Sequence, residues 1–313
     1  MNNENKKFLI VIVGPTAVGK TTASIQLAQR LNGEIVSADS RLFYRGMDIG
    51  TAKPTPAEMA GIRHHLINVA DPDEVWSLAV FQQNAYRAID DNLKRAKHPL
   101  LVGGTGQYIR SIIEGWQIPP QTPDYGLRDV LTHWADEIGA EALYERLERL
   151  DPAAASKIDY RNLRRTVRAL EVILNTGERF SEQSLKKGCR YSLIILGLQR
   201  PRDELYGRID QRVDQMIAQG LVEEVQGLLS DGYSPDLPTM SAIGYGEIIA
   251  YIQGKYSLAE AIRLIKRNTR VFVRRQANWY KPDDPRITWL EASEFDVDEM
   301  ENIIRRQMND PTK

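Results

Sequence analysis

After a polar start, the chain begins with a continuous apolar and β-branched run, Phe8 to Val13, the pattern of a strand buried on both faces. A glycine-rich turn follows, and then helical spacing from Thr22 to Leu31. Glu34 to Ala38 reads as a second strand ending at Asp39, and His65 to Val69 as a short third. Ser77 has the chemistry of an N-cap for a helix running to about Ala96. Pro99 to Gly103 is another buried strand with a helix behind it. Strands that alternate with helices predict an α/β fold built on a parallel, doubly wound sheet.

The texture changes after Gly115. Ile118-Pro119-Pro120 and Pro123 break the chain, and from Leu127 to about Asn175 the pattern is helical and rich in Arg, Glu, Leu and Ala. Tyr191 to Leu198 returns to a strand, helices dominate from Pro201 to Tyr280, and Arg286 to Leu290 reads as a last strand. The expected organisation is a phosphate-loop α/β core with flanking helices, made of 1–115 and 191–313, into which a helical subdomain, 116–190, is inserted. The polar end, Asn309 to Lys313, is expected to fray.

Composition narrows the function classes. A chain of 313 residues with 42% hydrophobic and 27% charged residues is an ordinary globular protein, large enough for one domain carrying an insertion. The formal net charge of -1 gives no global basic signal, so any nucleic-acid partner must be read from local clusters. A single cysteine, Cys189, excludes a disulfide framework and speaks against a cysteine-built metal site. No apolar run approaches the roughly 20 residues that span a bilayer, and cytoplasm is the expected location.

Gly14-Pro15-Thr16-Ala17-Val18-Gly19-Lys20-Thr21 matches G-x4-G-K-S/T between a buried strand and a helix. Backbone N–H groups in such a loop point inward around an anion, the helix N-terminus adds partial positive charge, Lys20 adds a full charge, and the Thr21 hydroxyl can ligate Mg²⁺. A loop that grips a β/γ-phosphate pair grips a diphosphate equally well, so the motif specifies a polyphosphate and not a particular nucleotide. The strand at Leu100 to Val102 ends in Gly103-Gly104-Thr105-Gly106 without the second carboxylate that phosphate-loop NTPases use for Mg²⁺. That glycine loop is either a close approach to phosphate, with the Thr105 hydroxyl as donor, or a plain tight turn. Asp39 is open to three readings: a turn cap, a Mg²⁺ ligand or a general base.

Two segments depart from the neutral average. Arg161, Arg164, Arg165 and Arg168 share a helix face. From Ala261 to Lys281 the cations Arg263, Lys266, Arg267, Arg270, Arg274, Arg275 and Lys281 occur without one Asp or Glu, interleaved with Phe272, Trp279 and Tyr280. An unpaired cationic face calls for an anionic partner such as a nucleic-acid backbone; pairing with acids elsewhere, on the Asp284 or Glu291 side, is the plainer alternative. The aromatics read as core first and as base-stacking platforms second.

These motifs coincide in one family. The phosphate loop, Ser37-Ala38-Asp39-Ser40, the string Tyr44-Arg45-Gly46-Met47-Asp48-Ile49-Gly50-Thr51-Ala52-Lys53-Pro54, His64-His65-Leu66, Val102-Gly103-Gly104-Thr105-Gly106, Arg168-Ala169-Leu170-Glu171 and Ala242-Ile243-Gly244-Tyr245 resemble the tRNA dimethylallyltransferases. The resemblance implies that Gly14, Thr16, Ala17, Val18, Gly19, Lys20 and Thr21 hold the diphosphate of dimethylallyl diphosphate, with Mg²⁺ on Thr21. Asp39 is then the general base toward an adenine amino group, Thr105 a ligand of the diphosphate or its bridging oxygen, and Arg212 an arginine that reaches the diphosphate from the far side. Asp39, Ser40, Arg41 and Leu42, together with Arg164, Arg165, Thr166, Val167 and Arg168, are implied tRNA contacts, and Arg270 and Arg274 join them from the basic helix. The implied target is the adenine 3′-adjacent to the anticodon, flipped into the protein, and the implied working unit is a monomer. His64 and His65 are expected to be structural.

The sequence departs from the family pattern at Leu42, where Gln is common, at Gln107, where Leu is common, and at Gly246, where a basic residue is common. These bear on tRNA affinity and preference more than on the reaction. The rival readings are a small-molecule phosphate-loop kinase, a free-adenylate prenyltransferase and an RNA-binding protein with a vestigial loop.

Overall fold

In the computed structural model, residues 7–118, 124–182, 188–294 and 296–309 are described. Pro119, Pro120, Pro123 and the end at 310–313, on which expectations above fall, lie outside them. The chain divides into two compact units, one made of 1–76, 81–113 and 189–313, the other of 77–80 and 114–188.

The first unit carries a six-stranded sheet in the order β3-β2-β4-β1-β5-β6. The strands are β1 (Phe8–Val13), β2 (Gly33–Ser37), β3 (His64–His65), β4 (His98–Val102), β5 (Ser192–Gln199) and β6 (Ile287–Glu291). Every pairing is parallel, with Ile12 opposite Val102 on one side of β1 and opposite Leu196 on the other. Leu9 to Val13 are all at most 1% exposed, as a strand covered on both faces must be. One face packs on α1 (Lys20–Arg30) through Ala23, Leu27 and Ala28, joined by Met300 and Ile304 of the last helix, which spans Val297–Asn309.

Because the strands are parallel, all their carboxyl ends share one edge. That edge gathers the turn after β1, Asp39 after β2, Thr105 after β4 and Arg200 after β5, where ligands of open α/β sheets bind. The helix Arg202–Ala218 follows β5 and carries Arg208 and Arg212; the helix Leu258–Ala277 carries the basic run. The helix after β3 begins at Leu78, with the Ser77 hydroxyl accepting from Val80 N–H at 3.2 Å.

The expected strand from His65 to Val69 is shorter than its apolar pattern implied. Pairing stops at His65, because Leu66 and Asn68 adopt left-handed backbone (φ 62° and 54°), which ends an extended strand. The excursion delivers the Asn68 side-chain oxygen to Lys53 Nζ at 2.6 Å. His65 Nε2 lies 2.7 Å from Glu34 and His64 Nδ1 lies 2.8 Å from Ile62 O, so both histidines serve the fold.

The second unit is a helical bundle of Tyr125–Ile138, Ala140–Leu150, Pro152–Ala155 and Leu163–Thr176. Leu131, Ala135, Leu143, Leu147, Val167 and Leu170 form its core. Asp124 and Asn162 cap the first and last of these helices by accepting from Leu127 and Arg165 N–H. Gly177 ends the last in left-handed backbone, its N–H bonded to Ile173 O at 2.8 Å.

Candidate functional site

The turn from Gly14 to Gly19 wraps the start of α1, with Lys20 as its first helical residue. Gly14 is required here: φ is 147°, and a Cβ would sit 2.6 Å from the Leu198 carbonyl oxygen on β5. The Lys20 ammonium donates back to Gly14 O (2.9 Å) and Pro15 O (2.8 Å), which closes the loop around its own positive charge. Two arginines grip the loop from outside. Arg208 Nε donates to Ala17 O at 2.9 Å, and Arg200 Nε donates to Val18 O at 2.8 Å. The Ala17 and Val18 carbonyls are thus tied to these arginines, which leaves the N–H groups at the helix start for an anion.

Arg200 is further anchored by Glu204 and the Ala292 carbonyl. Arg212 lies one helical turn beyond Arg208 and forms no hydrogen bond with any described residue. Burial lowers the Arg212 guanidinium below its ordinary value, the neighbouring Arg208 charge adds to this, and Glu58 and Asp39 oppose it. Burial also pushes the Lys20 ammonium down to about 8, opposed by Asp39 and reinforced by Arg212. Arg212 thus lies between the charges of Lys20 and Arg208, offset by Asp39 and Glu58, an arrangement that an incoming anion relieves.

Asp39 resolves its open readings in part. Its Oδ1 accepts from Arg41 N–H at 3.1 Å and its carbonyl accepts from Leu42 N–H at 3.2 Å, so it caps the turn that follows β2. Among the described residues nothing hydrogen-bonds to Oδ2, so the cap leaves one carboxylate oxygen open. Ser40 N–H donates to the Thr105 hydroxyl at 3.3 Å, which joins this turn to the loop after β4.

The long string Tyr44 to Pro54 forms a structural lock. Glu224 accepts from the backbone N–H groups of Asp48, Ile49 and Gly50 at 2.9, 2.7 and 3.1 Å, and from the Tyr245 hydroxyl at 2.6 Å. Lys53, 8% exposed, donates to Tyr44 O, Asp48 and Asn68. These contacts fix the segment that follows Asp39 to Leu42.

The expected cationic stripe on Leu258–Ala277 needs correction. Lys266 pairs with Asp214 at 2.7 Å, Arg270 pairs with Asp210, and Arg263 pairs with Glu260 just before the acid-free stretch. The partners of Lys266 and Arg270 come from the neighbouring helix Arg202–Ala218, and that of Arg263 from its own helix, none of them from the Asp284 or Glu291 side. The first part of the stripe is a helix–helix seam, invisible to a reading confined to one helix. Arg274 touches the Tyr206 hydroxyl at 3.3 Å and, with Arg275, is exposed and bound to no carboxylate among the described residues.

In the helical unit, Arg164 and Arg165 are exposed, whereas Thr166 (0% exposed) and Val167 (5%) are packed inside the bundle. Their side chains are buried, unlike those of Arg164 and Arg165. Arg168 and Arg128 both hold the buried Glu171, at 2.6 and 2.9 Å. Burial alone would raise the Glu171 carboxyl; the hydrogen bonds from Arg168, Asp124 N–H and Arg128 outweigh it and hold it below its usual value. Arg168 is thus first a counter-ion. The sequence reading missed Arg200 and Arg208; the one signal was the position of Arg208 four residues, one helical turn, before Arg212.

The parallel sheet, the strand–loop–helix turn with Lys20 at its centre and the cations along the same edge define an α/β protein of the phosphate-loop class. A family model described as IPP transferase matches residues 42–283, and one described as isopentenyl transferase matches residues 7–75. A tRNA dimethylallyltransferase of Roseiflexus sp. (strain RS-1) is 51% identical over 302 residues, covering 96% of this chain and 99% of that protein. One of Herpetosiphon aurantiacus is 50% identical, covering 93% and 92%. Among solved structures, the tRNA isopentenylpyrophosphate transferase of Bacillus halodurans matches with a TM-score of 0.73 and 41% identity over 97% of both chains. A eukaryotic dimethylallyltransferase acting on tRNA matches with a TM-score of 0.78 and 29% identity over 96% of this chain and 77% of that one. The chain belongs to the IPP transferase family, that of the tRNA dimethylallyltransferases. No described helix is long and apolar enough to cross a membrane.

Proposed function

We propose that the protein transfers the dimethylallyl group of dimethylallyl diphosphate to the N6 amino group of the adenine 3′-adjacent to the anticodon of tRNA and releases diphosphate. The observation that carries the reading is a phosphate loop closed around the Lys20 ammonium and held by Arg208, with Arg212 and the Asp39 carboxylate near enough to act on the Lys20 charge.

The C1–O bond of the donor breaks with its electron pair leaving on the diphosphate, the adenine N6 lone pair forms the new C–N bond, and the N6 proton passes to Asp39. An allylic cation is delocalised, so the protein's main electrostatic task is the leaving diphosphate. The phosphate-loop N–H groups, Lys20, Arg212 and the Thr105 hydroxyl serve it. The exocyclic amine becomes acidic only as the C–N bond forms, and one carboxylate within reach then suffices.

Thr21 is exposed, its hydroxyl free of hydrogen bonds to other described residues, and no group of three acidic, His or Cys side chains placed to hold a metal ion is present among them. One hydroxyl completed by diphosphate oxygens and water fits Mg²⁺, which retains waters and binds through substrate phosphates; bound there, it would neutralise diphosphate charge. Arg164 and Arg165 on the helical unit, and Arg274 on the first, are the exposed cations that best fit the tRNA backbone. Cytoplasm and a monomeric working unit complete the reading.

The test is incubation with Mg²⁺, labelled dimethylallyl diphosphate and unmodified tRNA, and separately with AMP. Label in tRNA at an adenine beside the anticodon supports the proposal. Label in AMP alone moves the enzyme to free nucleotides, and label in neither rejects transfer.

A further inference from the structure

The phosphate loop and the loop of Gly103 to Gly106 extend from neighbouring parallel strands. Their ladder ends at the bond from Gly103 N–H to Ile12 O, at 3.4 Å. Beyond it, one side chain spans the gap. Gln276, near the end of the helix Leu258–Ala277, is 7% exposed. Its Oε1 accepts from Thr16 N–H in the phosphate loop at 2.8 Å, and its Nε2 donates to Gly104 O at 3.1 Å.

The two glycines are shaped to this helix. A Cβ on Gly104 would lie 2.4 Å from Gln276 Nε2, and a Cβ on Gly106 would lie 2.1 Å from Trp279 Cγ, three residues further along. The sequence offered phosphate approach or a tight turn as reasons for these glycines; the structure adds that the helix end occupies the space a Cβ would need. Arg110 lies over the Trp279 ring at 6.0 Å and closes the same corner.

We propose that Gln276 is a positioning residue of the donor site, whose carboxamide sets the separation between the phosphate loop and Thr105. The inference rests on the transfer reaction proposed above. One diphosphate must be held by the phosphate loop at one end and meet the Thr105 hydroxyl at the other, so the gap between the loops must match its length. A carboxamide both accepts and donates and thereby fixes that gap from both sides; glutamate retains only the acceptor, and methionine neither. Gln276 also uses up the Thr16 N–H, which leaves the N–H groups nearer Lys20 to the anion. Misplacement of reacting groups by about 1 Å is expected to cost roughly a hundredfold in rate.

The test is steady-state kinetics of Gln276→Met, with inhibition by inorganic diphosphate measured alongside. The expected result is a kcat/KM for dimethylallyl diphosphate lowered roughly ten- to a hundredfold, diphosphate inhibition weakened with it, and a KM for tRNA close to wild type. Gly104→Ala, which drives the carboxamide out, is expected to give a similar donor-side loss, and the double variant is expected to be no worse than Gly104→Ala alone. Should Gln276→Met not fold, Gln276→Glu keeps the shape and loses the donor, and the same donor-side loss is expected. A wild-type donor KM and kcat in the variant that folds, or losses that multiply in the double variant, overturns the proposal. A wild type that transfers nothing would overturn the reaction itself, whereas a wild type that transfers as well as Gln276→Met overturns only the role of Gln276.

Discussion

The Ser40 backbone N–H donates to the Thr105 hydroxyl at 3.3 Å and so joins the turn behind the β2 carboxylate to the loop behind β4. A hydroxyl that accepts from Ser40 keeps its own O–H free to turn outward, toward the leaving diphosphate. Thr105→Ala is expected to lower kcat roughly a hundredfold, the usual cost of one donor to a developing oxyanion. Thr105→Ser should recover most of it. Rapid-quench turnover on saturating tRNA reads both, and an alanine variant at wild-type rate would remove Thr105 from the chemistry.

Asp39 divides its labour between its two oxygens. Oδ1 accepts from the Arg41 N–H, and Oδ2 has no hydrogen-bond partner among the described residues. Asparagine can keep the Oδ1 cap but cannot take a proton. Asp39→Asn is therefore expected to lose about 10²–10⁴ in kcat while retaining affinity for tRNA and for inorganic diphosphate. A variant that lost binding in the same proportion would show the carboxylate to be structural only.

Lys20 links donor binding to pH. Burial has lowered it from 10.5 to about 8, so its charged form prevails below about 8 and is lost above. Inhibition by inorganic diphosphate should therefore weaken as pH rises through about 8, and Lys20→Met should abolish that limb. Stability runs the other way. The unfolded chain holds this proton more tightly, so the penalty for burying the charge is present in full below about 8 and fades as pH rises towards 10.5. Lys20→Met should melt higher than wild type at neutral pH, with the gap closing in alkali.

Much of the candidate site's placement was legible because its signals are local. The apolar run at Phe8 to Val13, the glycine spacing and Lys20 lie in one continuous segment, and a parallel sheet places Asp39 and Thr105 on the same edge by topology alone. What the sequence did not show is pairwise and distant. Asp210 and Asp214 neutralise cations on a helix some 50 to 60 residues later. Arg200 and Gln276 act on the phosphate loop from 182 and 260 residues away. That the side chains of Thr166 and Val167 are buried shows only once the neighbouring helices are in place. The left-handed residues Leu66 and Asn68 also escape a pattern reading, since neither is glycine.

Glu224 tests whether the long family string is catalytic or architectural. It satisfies three consecutive backbone N–H groups and the Tyr245 hydroxyl, all supplied by other elements. Glu224→Ala would leave these donors without their acceptor, at an expected cost of about 3 kcal/mol of stability. Denaturant titration reads it. Glu224→Gln, whose amide keeps one acceptor oxygen, should fall between. If Glu224→Ala unfolded at the wild-type midpoint but lost turnover, the string would belong to the chemistry instead.

The arginines separate by what they already hold. Arg164 and Arg165 are exposed and hold no carboxylate among the described residues, whereas Arg270 is paired with Asp210. A cation that contacts phosphate releases counterions when RNA binds, so its removal flattens the salt dependence of binding by about one unit of slope. Arg164→Ala with Arg165→Ala should weaken tRNA binding and reduce the slope by about two, while inorganic diphosphate binds as before. Arg270→Ala should leave the slope nearly unchanged and cost at most about 1 kcal/mol of stability, as expected for a half-exposed pair. Binding isotherms at several salt concentrations distinguish the cases: an unchanged slope in the double variant would place the RNA backbone elsewhere, and a flattened slope in Arg270→Ala would show that RNA displaces Asp210.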